Sequence, residues 1–250
     1  MIEKAMNSSH RARNAKAISL ALTIALAASL MVLFGCSGPI GSSKGPGSAN
    51  ASTPPSAEQL APSQVKEFEG KRLDSITVFR ENSIKGPQYV DSNTYRLVVD
   101  GLVTTPRTFT YDEVVGNFKH YAKVVQLDCV EGWSAKILWE GPLVGDILAT
   151  AGPTAAANTV IFHAADGYST SFPLEYFRKN QRILASKMNG QLLAPERGFP
   201  FMLVAEDKWG YKWCRWITRI ELSADSKYRG YWEQRGYSND GSRNKPSTGP

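Results

Sequence analysis

The sequence is poor in the residues that hold most metal and redox groups in proteins. Its 250 residues include three cysteines and three histidines. It has no Cys-x-x-Cys-His motif, which excludes a covalently attached c-type haem. His120 and His163 do not stand at the spacing of a metal-ligand pair, and we interpret both as ordinary loop or strand residues. The cysteines remain as the candidates for metal chemistry.

The chain also lacks a dense run of Lys and Arg and shows no internal repeat. Its formal net charge of +6 falls to +3 without residues 1–35, which carry four basic residues and Glu3. Because no nucleic-acid-binding motif is visible either, nothing in the sequence supports DNA or RNA binding.

The N-terminus has the pattern of an export signal. Four basic residues precede an apolar run over 17–34 that is relieved only by Ser and Thr. The run closes with Leu33-Phe34-Gly35-Cys36, which is similar to a bacterial lipobox. This predicts a cleaved signal peptide over 1–35 and lipidation of Cys36. An uncleaved anchor is the alternative, because the run approaches the roughly 18–20 apolar residues that span a bilayer.

The composition of the two ends of the chain sets the limits of one folded domain between them. Residues 37–56 are mostly Gly, Ser, Pro and Ala with the single charge of Lys44, and 241–250 have a similar composition. Such segments bury too little apolar surface to offset their ordering entropy. The sequence therefore predicts a flexible tether over 36–66, a domain over 67–240 with a substantial core, and a disordered tail over 241–250.

Local patterns within the domain predict many short strands and few short helices. Thr110 and Glu113 form a capping box that opens a helix, and a second helix over 144–149 ends before Gly152. Asn189-Gly190 suits a type I′ turn between strands. Further strands are predicted at 95–99, 121–127, 159–162, 183–188, 191–193, 199–205 and 213–222. This pattern favours a single sheet-rich α+β domain.

The most informative motif is Gln126-Leu127-Asp128-Cys129-Val130-Glu131-Gly132-Trp133-Ser134, which places a thiol in a tight turn directly after an apolar strand. It is followed in order by Asp166-Gly167-Tyr168-Ser169, by Gly198-Phe199-Pro200-Phe201, and by a Trp-rich run over 208–216. Together, over about 68–237, these motifs resemble the sulfite-oxidase-type molybdopterin-dependent oxidoreductases.

The resemblance implies the sulfite-oxidase-type fold, with molybdenum and molybdopterin as cofactors. Cys129 stands at the position of the family's metal-binding thiolate. That role needs a soft, ionised sulfur held rigidly at the floor of a cleft. The alternative is a disulfide between Cys129 and Cys214, since an exported pair of cysteines can be oxidised.

The resemblance also assigns cofactor contacts. Lys212 and Arg215, with Trp213 between them, match the basic positions that hold the pterin phosphate. Asn82 matches an early loop whose Asn contacts the pterin, and Arg197 aligns with another contact. The alternative for Lys212 and Arg215 is that both are solvated strand charges.

Two departures from the family pattern bear on the cofactor. Met202 stands where relatives commonly have an Arg, so either Arg197 or Lys208 replaces that guanidinium or the phosphate is held less tightly. The leader has Arg11-Ala12-Arg13 instead of consecutive arginines. This leaves imperfect twin-Arg export, loading outside the cell membrane, or no cofactor as possibilities.

Glu131 bears on the substrate, because a carboxylate near the metal repels sulfite and favours a neutral S- or N-oxide, as in the methionine-sulfoxide-reductase branch. Asp166 and Tyr168 are predicted to line the same pocket, with Tyr168 as a proton donor. The alternative is that Asp166-Gly167 is only a hairpin turn.

The sequence thus predicts a lipid-anchored enzyme on the extracytoplasmic face of the cell envelope. It would act on a small-molecule substrate and exchange electrons with a separate partner, a quinone-linked membrane protein or a cytochrome. The rivals are a non-catalytic binding lipoprotein of the same fold and a sulfite-oxidising enzyme.

Overall fold

The computed structural model describes residues 53–249. The predicted signal peptide and the lipidation site Cys36 lie outside this range. Within it, none of the helices has the length and apolar character needed to cross a bilayer.

The described chain has four short helices and four 3-10 turns. The helices are α1 (Ala57–Leu60), α2 (Tyr111–Asn117), α3 (Val144–Ala151) and α4 (Glu175–Arg178). The 3-10 turns are Ala61–Ser63, Pro195–Arg197, Gly210–Lys212 and Glu233–Arg235.

Thirteen strands make up the rest of the regular structure in 53–249. They are β1 (Glu67–Phe68), β2 (Lys71–Arg72), β3 (Leu97–Gly101), β4 (Arg107–Phe109), β5 (His120–Asp128), β6 (Ser134–Pro142), β7 (Thr159–Ala164), β8 (Ser169–Pro173), β9 (Leu184–Ala185), β10 (Lys187–Met188), β11 (Gln191–Leu192), β12 (Met202–Leu203) and β13 (Ile217–Ser223).

Two larger sheets organise the domain. The first has the strand order β4-β3-β13-β7-β8, in which β13 pairs with β3 in parallel and all other pairs are antiparallel. The second has the order β11-β10-β6-β5 and is antiparallel throughout. This confirms the predicted sheet-rich α+β class.

The core lies between these sheets and the helices and is rich in aromatic side chains. Trp139 of β6 and Phe162 of β7 are fully buried. Rings in contact prefer tilted or edge-to-face geometries, and Trp139 packs in this way on Trp213, with ring centroids 5.6 Å apart. The core therefore reaches the loop that carries the Trp-rich run and gives that loop a rigid base.

Several local predictions are confirmed. The capping box of α2 is formed by reciprocal hydrogen bonds between Thr110 and Glu113, and α3 ends at Gly152 in the left-handed conformation. Asn189 and Gly190 have φ values of 47° and 77°, as a type I′ turn requires, and they join β10 to β11.

Other predicted boundaries are wrong. The strand expected over 199–205 is reduced to β12, and the one expected over 213–222 begins only at Ile217. Residues 210–216 instead form a 3-10 turn and an irregular segment, in which Trp216 has a φ of 50°. The segment does not continue as a strand because the side chains of Trp213 and Trp216 are buried in the core.

Both ends of the described chain are more ordered than predicted. Ala57 of α1, inside the expected tether, is fully buried. In the expected tail, Gly241 accepts a backbone hydrogen bond from Trp209, and Thr248 pairs with Tyr237. We therefore revise the domain to include 53–66 and 241–249; these segments find hydrogen-bond partners that their own composition does not reveal.

Candidate functional site

Cys129 closes the loop between β5 and β6. Its backbone N–H donates to the carbonyl of Trp133 at 2.9 Å, and its carbonyl accepts from Gly132 at 3.1 Å. Gly132 has a φ of 82°, which only glycine adopts readily. The loop is thus fixed at both ends, and it places Cys129, 6% exposed, in the lining of a cavity.

The cavity is the main candidate site of the described chain. It has about 900 Å³ of empty space, its open mouth included. Seven of the nine predicted site residues within 53–249 line it: Asn82, Cys129, Glu131, Asp166, Tyr168, Trp213 and Arg215. The remaining two, Arg197 and Lys212, do not.

Burial is the main reason that the pKa of the Cys129 thiol is raised. The backbone N–H of Glu131 opposes that rise, whereas the Glu131 carboxylate adds to it. The thiolate form is therefore not favoured by the protein alone. Binding of a metal cation would displace the proton.

Glu131 is exposed at the cavity, and the indole N–H of Trp133 donates to its Oε2 at 3.1 Å. Phe79 packs edge-on against Trp133, with ring centroids 5.4 Å apart. The carboxylate therefore lies beside an aromatic wall, hydrogen-bonded to the indole of Trp133.

Asp166 and Tyr168 have structural roles in the turn between β7 and β8. Asp166 Oδ1 accepts from the Tyr168 backbone N–H at 2.9 Å, and Gly167 has a φ of 87°. The Tyr168 hydroxyl donates to the carbonyl of Tyr211, and burial raises the pKa of the phenol well above its usual value. We therefore revise the interpretation of Tyr168 as a proton donor, because its proton is already shared with the backbone.

Lys212 points away from the cavity. Its side chain and that of Glu233 are both 0% exposed, and Nζ lies 2.7 Å from Glu233 Oε1. Nζ also donates to the carbonyls of Ser171 and Asn239. Because an ammonium has three donors and all are used, we revise the assignment of Lys212 to the cofactor phosphate.

Neither candidate replacement for the missing guanidinium reaches the cavity. Arg197 is buried, and its Nε donates to the carbonyl of Ile76 at 2.9 Å. Lys208 is bound to Asp240 and Ser242. Met202 is buried in the cavity wall.

Arg80 was missed by the sequence reasoning. It is exposed, lines the cavity, and with Arg215 supplies the cationic side chains of the lining within 53–249. Its position two residues before Asn82, in the same loop, is the signal that could have found it.

The sequence reasoning also missed part of the wall. Trp232 and Tyr237 line the cavity and pack on each other with ring centroids 5.3 Å apart. Arg243 of the C-terminal segment forms an ion pair with Asp128, next to Cys129. No local motif marks these contacts, because they depend on the return of the C-terminus to the end of β5.

Within 53–249, Cys214, His120 and His163 do not form a metal site with Cys129. Cys129 and Cys214 are both free thiols, so the alternative of a disulfide is not what the structure contains. His163 bonds to Glu221 at 2.9 Å on the five-stranded sheet. Over 53–249 there is no group of three or more His, Cys, Asp or Glu side chains able to hold a metal ion.

Comparison with known proteins identifies the domain. The profile described as "Oxidoreductase molybdopterin binding domain" matches residues 84–232. The chain belongs to the oxidoreductase molybdopterin-binding domain family. It is 34% identical over 152 residues to "Uncharacterized oxidoreductase YuiH" of Bacillus subtilis, a match that covers 60% of this chain and 76% of that protein.

Two further relatives share part of their length with the chain. It is 35% identical to "Putative protein-methionine-sulfoxide reductase subunit YedZ1" of Azospira oryzae, over 59% of this chain and 56% of that protein. It is 27% identical to "Nitrate reductase [NADPH]" of Beauveria bassiana, over 54% of this chain and 18% of that protein.

A solved structure supports the fold. The sulfane dehydrogenase SoxCD of Paracoccus pantotrophus has a TM-score of 0.55 and 22% identity, covering 60% of this chain and 42% of that one. The protein is therefore a molybdopterin-binding oxidoreductase with the sulfite-oxidase-type fold, and its family cofactor is molybdenum-molybdopterin. The predictions of fold class, enzyme class and cofactor are confirmed.

The cavity fits this group. It offers one soft sulfur from Cys129, an amide from Asn82, aromatic walls, and the guanidinium groups of Arg80 and Arg215. A soft thiolate suits the metal, hydrogen-bond donors suit the pterin ring, and cations suit the phosphate.

Proposed function

We propose that this protein is a lipid-anchored, extracytoplasmic molybdopterin-dependent oxidoreductase that reduces a neutral S- or N-oxide at a molybdenum bound by Cys129. The observation that carries the proposal is the presence, in one cavity, of the Cys129 sulfur and the Glu131 carboxylate, which accepts a hydrogen bond from Trp133.

The roles of the chain's own residues follow from their chemistry. Cys129 would bind the metal, and Arg80 and Arg215 would serve the phosphate end of the cofactor. When bound, molybdenum-molybdopterin supplies two-electron oxygen-atom transfer. Net reduction of an oxide consumes two electrons and two protons and releases water, so a separate electron donor is needed.

Glu131 selects against anions. Two unit charges about 4 Å apart interact by about 1 kcal/mol in water and about 4 kcal/mol at a protein surface. A sulfite dianion at the cavity mouth would meet this repulsion, whereas an uncharged oxide would not. The similarity to the Azospira oryzae relative, named as a putative protein-methionine-sulfoxide reductase subunit, supports the same choice.

We expect the enzyme to reduce a sulfoxide with a viologen donor faster than it oxidises sulfite with a ferricyanide acceptor. Glu131→Gln is expected to raise kcat/KM for sulfite about tenfold by removing one repulsive charge. The sulfoxide kcat/KM should change little. Steady-state assays of both reactions measure these effects.

The matched control is Glu67→Gln, which removes an exposed carboxylate outside the cavity lining and should alter neither reaction. Robust sulfite turnover by the parent without any sulfoxide activity would reverse the proposed direction of the reaction.

The proposed location rests on the sequence of the N-terminus. The lipobox-like Leu33-Phe34-Gly35-Cys36 and the Gly- and Ser-rich segment after it suit a lipid anchor followed by a spacer. A membrane-bound redox partner, quinone-linked or a cytochrome, would then be within reach of the domain.

Cys36→Ser is expected to leave an unprocessed precursor or to release the domain from the membrane, because the acylated residue is lost. Membrane fractionation and intact mass would show the change, and Ser37→Ala serves as the control. Identical processing and fractionation of Cys36→Ser and the parent would rule out the lipid anchor.

A further inference from the structure

A short chain of polar contacts leads from Glu81 to the Cys129 sulfur. Glu81 Oε2 accepts from Arg215 at 3.0 Å, and a second guanidinium nitrogen of Arg215 donates to Asn82 Oδ1 at 3.2 Å. Asn82 Nδ2 then lies 3.8 Å from Cys129 Sγ.

Arg215 is itself held firmly. Besides Glu81 it contacts the carbonyl of Glu196 at 3.2 Å, and its guanidinium lies 4.6 Å from the ring centre of Trp216. The fork geometry of the guanidinium lets it hold several acceptors at fixed angles.

The guanidinium also decides which way the Asn82 amide faces. A guanidinium can only donate, so the amide must turn its oxygen toward Arg215. The NH₂ group is then left toward the sulfur. Asn82 is exposed on the segment 73–96, which has neither helix nor strand, so its own backbone does not impose this orientation.

We propose that Arg215 is a positioning residue that acts through Asn82 to set the hydrogen bonding of the Cys129 sulfur, and thereby the reduction potential of the metal. The inference rests on the proposed ligation by Cys129. A donor to a ligating sulfur withdraws electron density and raises the reduction potential. Arg215 thus has a role beyond supplying charge to the phosphate.

The test is a redox titration of the molybdenum-loaded, envelope-purified enzyme followed by the Mo(V) EPR signal. Asn82→Ala and Arg215→Ala should each shift the midpoint potential downward. The double variant should lie below Asn82→Ala only by the Coulomb shift that the loss of one cavity cation causes, because Arg215 has no amide left to orient.

The matched control is Arg80→Ala, which removes the other cavity cation without touching Asn82. Loss of a nearby positive charge also lowers the potential, but that Coulomb effect should persist when Asn82 is already Ala. If Arg215→Ala behaved like Arg80→Ala and its shift added to that of Asn82→Ala, the positioning role would be overturned.

A second measurement does not need the metal. In ¹⁵N-labelled protein prepared without cofactor, the Asn82 side-chain NH₂ signals, assigned by their loss in Asn82→Ala, should move in both Arg215→Ala and Cys129→Ser. Unchanged signals in Arg215→Ala would refute the positioning role. Failure of the proposed function would appear separately, as absence of molybdenum from the parent enzyme.

Discussion

Lys212→Met is expected to lower the free energy of unfolding by about 3–5 kcal/mol, the usual cost of removing one partner of a buried ion pair. The reason is that Glu233, 0% exposed, would keep a buried charge without its cation. Urea denaturation of the parent and variant measures the difference.

Two controls sharpen this test. Lys212→Met with Glu233→Leu should recover most of the loss, because no uncompensated charge remains. Lys179→Met removes one of the two exposed cationic partners of Glu175 and should change stability by less than about 0.5 kcal/mol. A loss below about 1 kcal/mol in Lys212→Met would mean that the ammonium is not committed to Glu233 and is free for a phosphate.

Cys129→Ala is expected to lose the molybdenum and the pterin. The thiolate would be the only bond from the protein to the metal, because Cys129 is the only thiol in the cavity lining over 53–249. Metal analysis and pterin fluorescence of the purified variant measure the loss.

Cys214→Ala is the matched control for this loss. Cys214 is also a buried free thiol, but it does not line the cavity, so its variant should keep the parental molybdenum content. Retention of molybdenum in Cys129→Ala together with its loss in Cys214→Ala would show that Cys214, and not Cys129, binds the metal.

The sequence predicts well those features that neighbouring residues decide among themselves. The capping box of Thr110 and Glu113 and the turn at Asn189-Gly190 need only local hydrogen bonds and backbone preferences. The position of Cys129 was also predictable, because a strand followed by a Gly-bearing turn holds its thiol in place.

The hydrogen-bond partners of Lys212 and Tyr168 could not be predicted from neighbouring residues. The partner of Lys212 is Glu233, 21 residues later, and the acceptor of the Tyr168 hydroxyl is the carbonyl of Tyr211, 43 residues later. Family resemblance gave Lys212 a functional role and the chemistry of its phenol gave Tyr168 one, whereas tertiary contacts engage both inside the protein.

The C-terminal segment also makes contacts that its local sequence does not predict. The composition of 241–250 predicts disorder, yet Arg243 pairs with Asp128, next to Cys129. The family match ends at residue 232, so neither composition nor family similarity marks this part of the site.

The most direct test of the account is the molybdenum and molybdopterin content of the parent protein purified from its native envelope. We expect about one of each per chain, because one soft thiolate faces a cavity with donors for the rest of the cofactor. Absence of both, with Cys129 joined to Cys214 in a disulfide, would contradict the account.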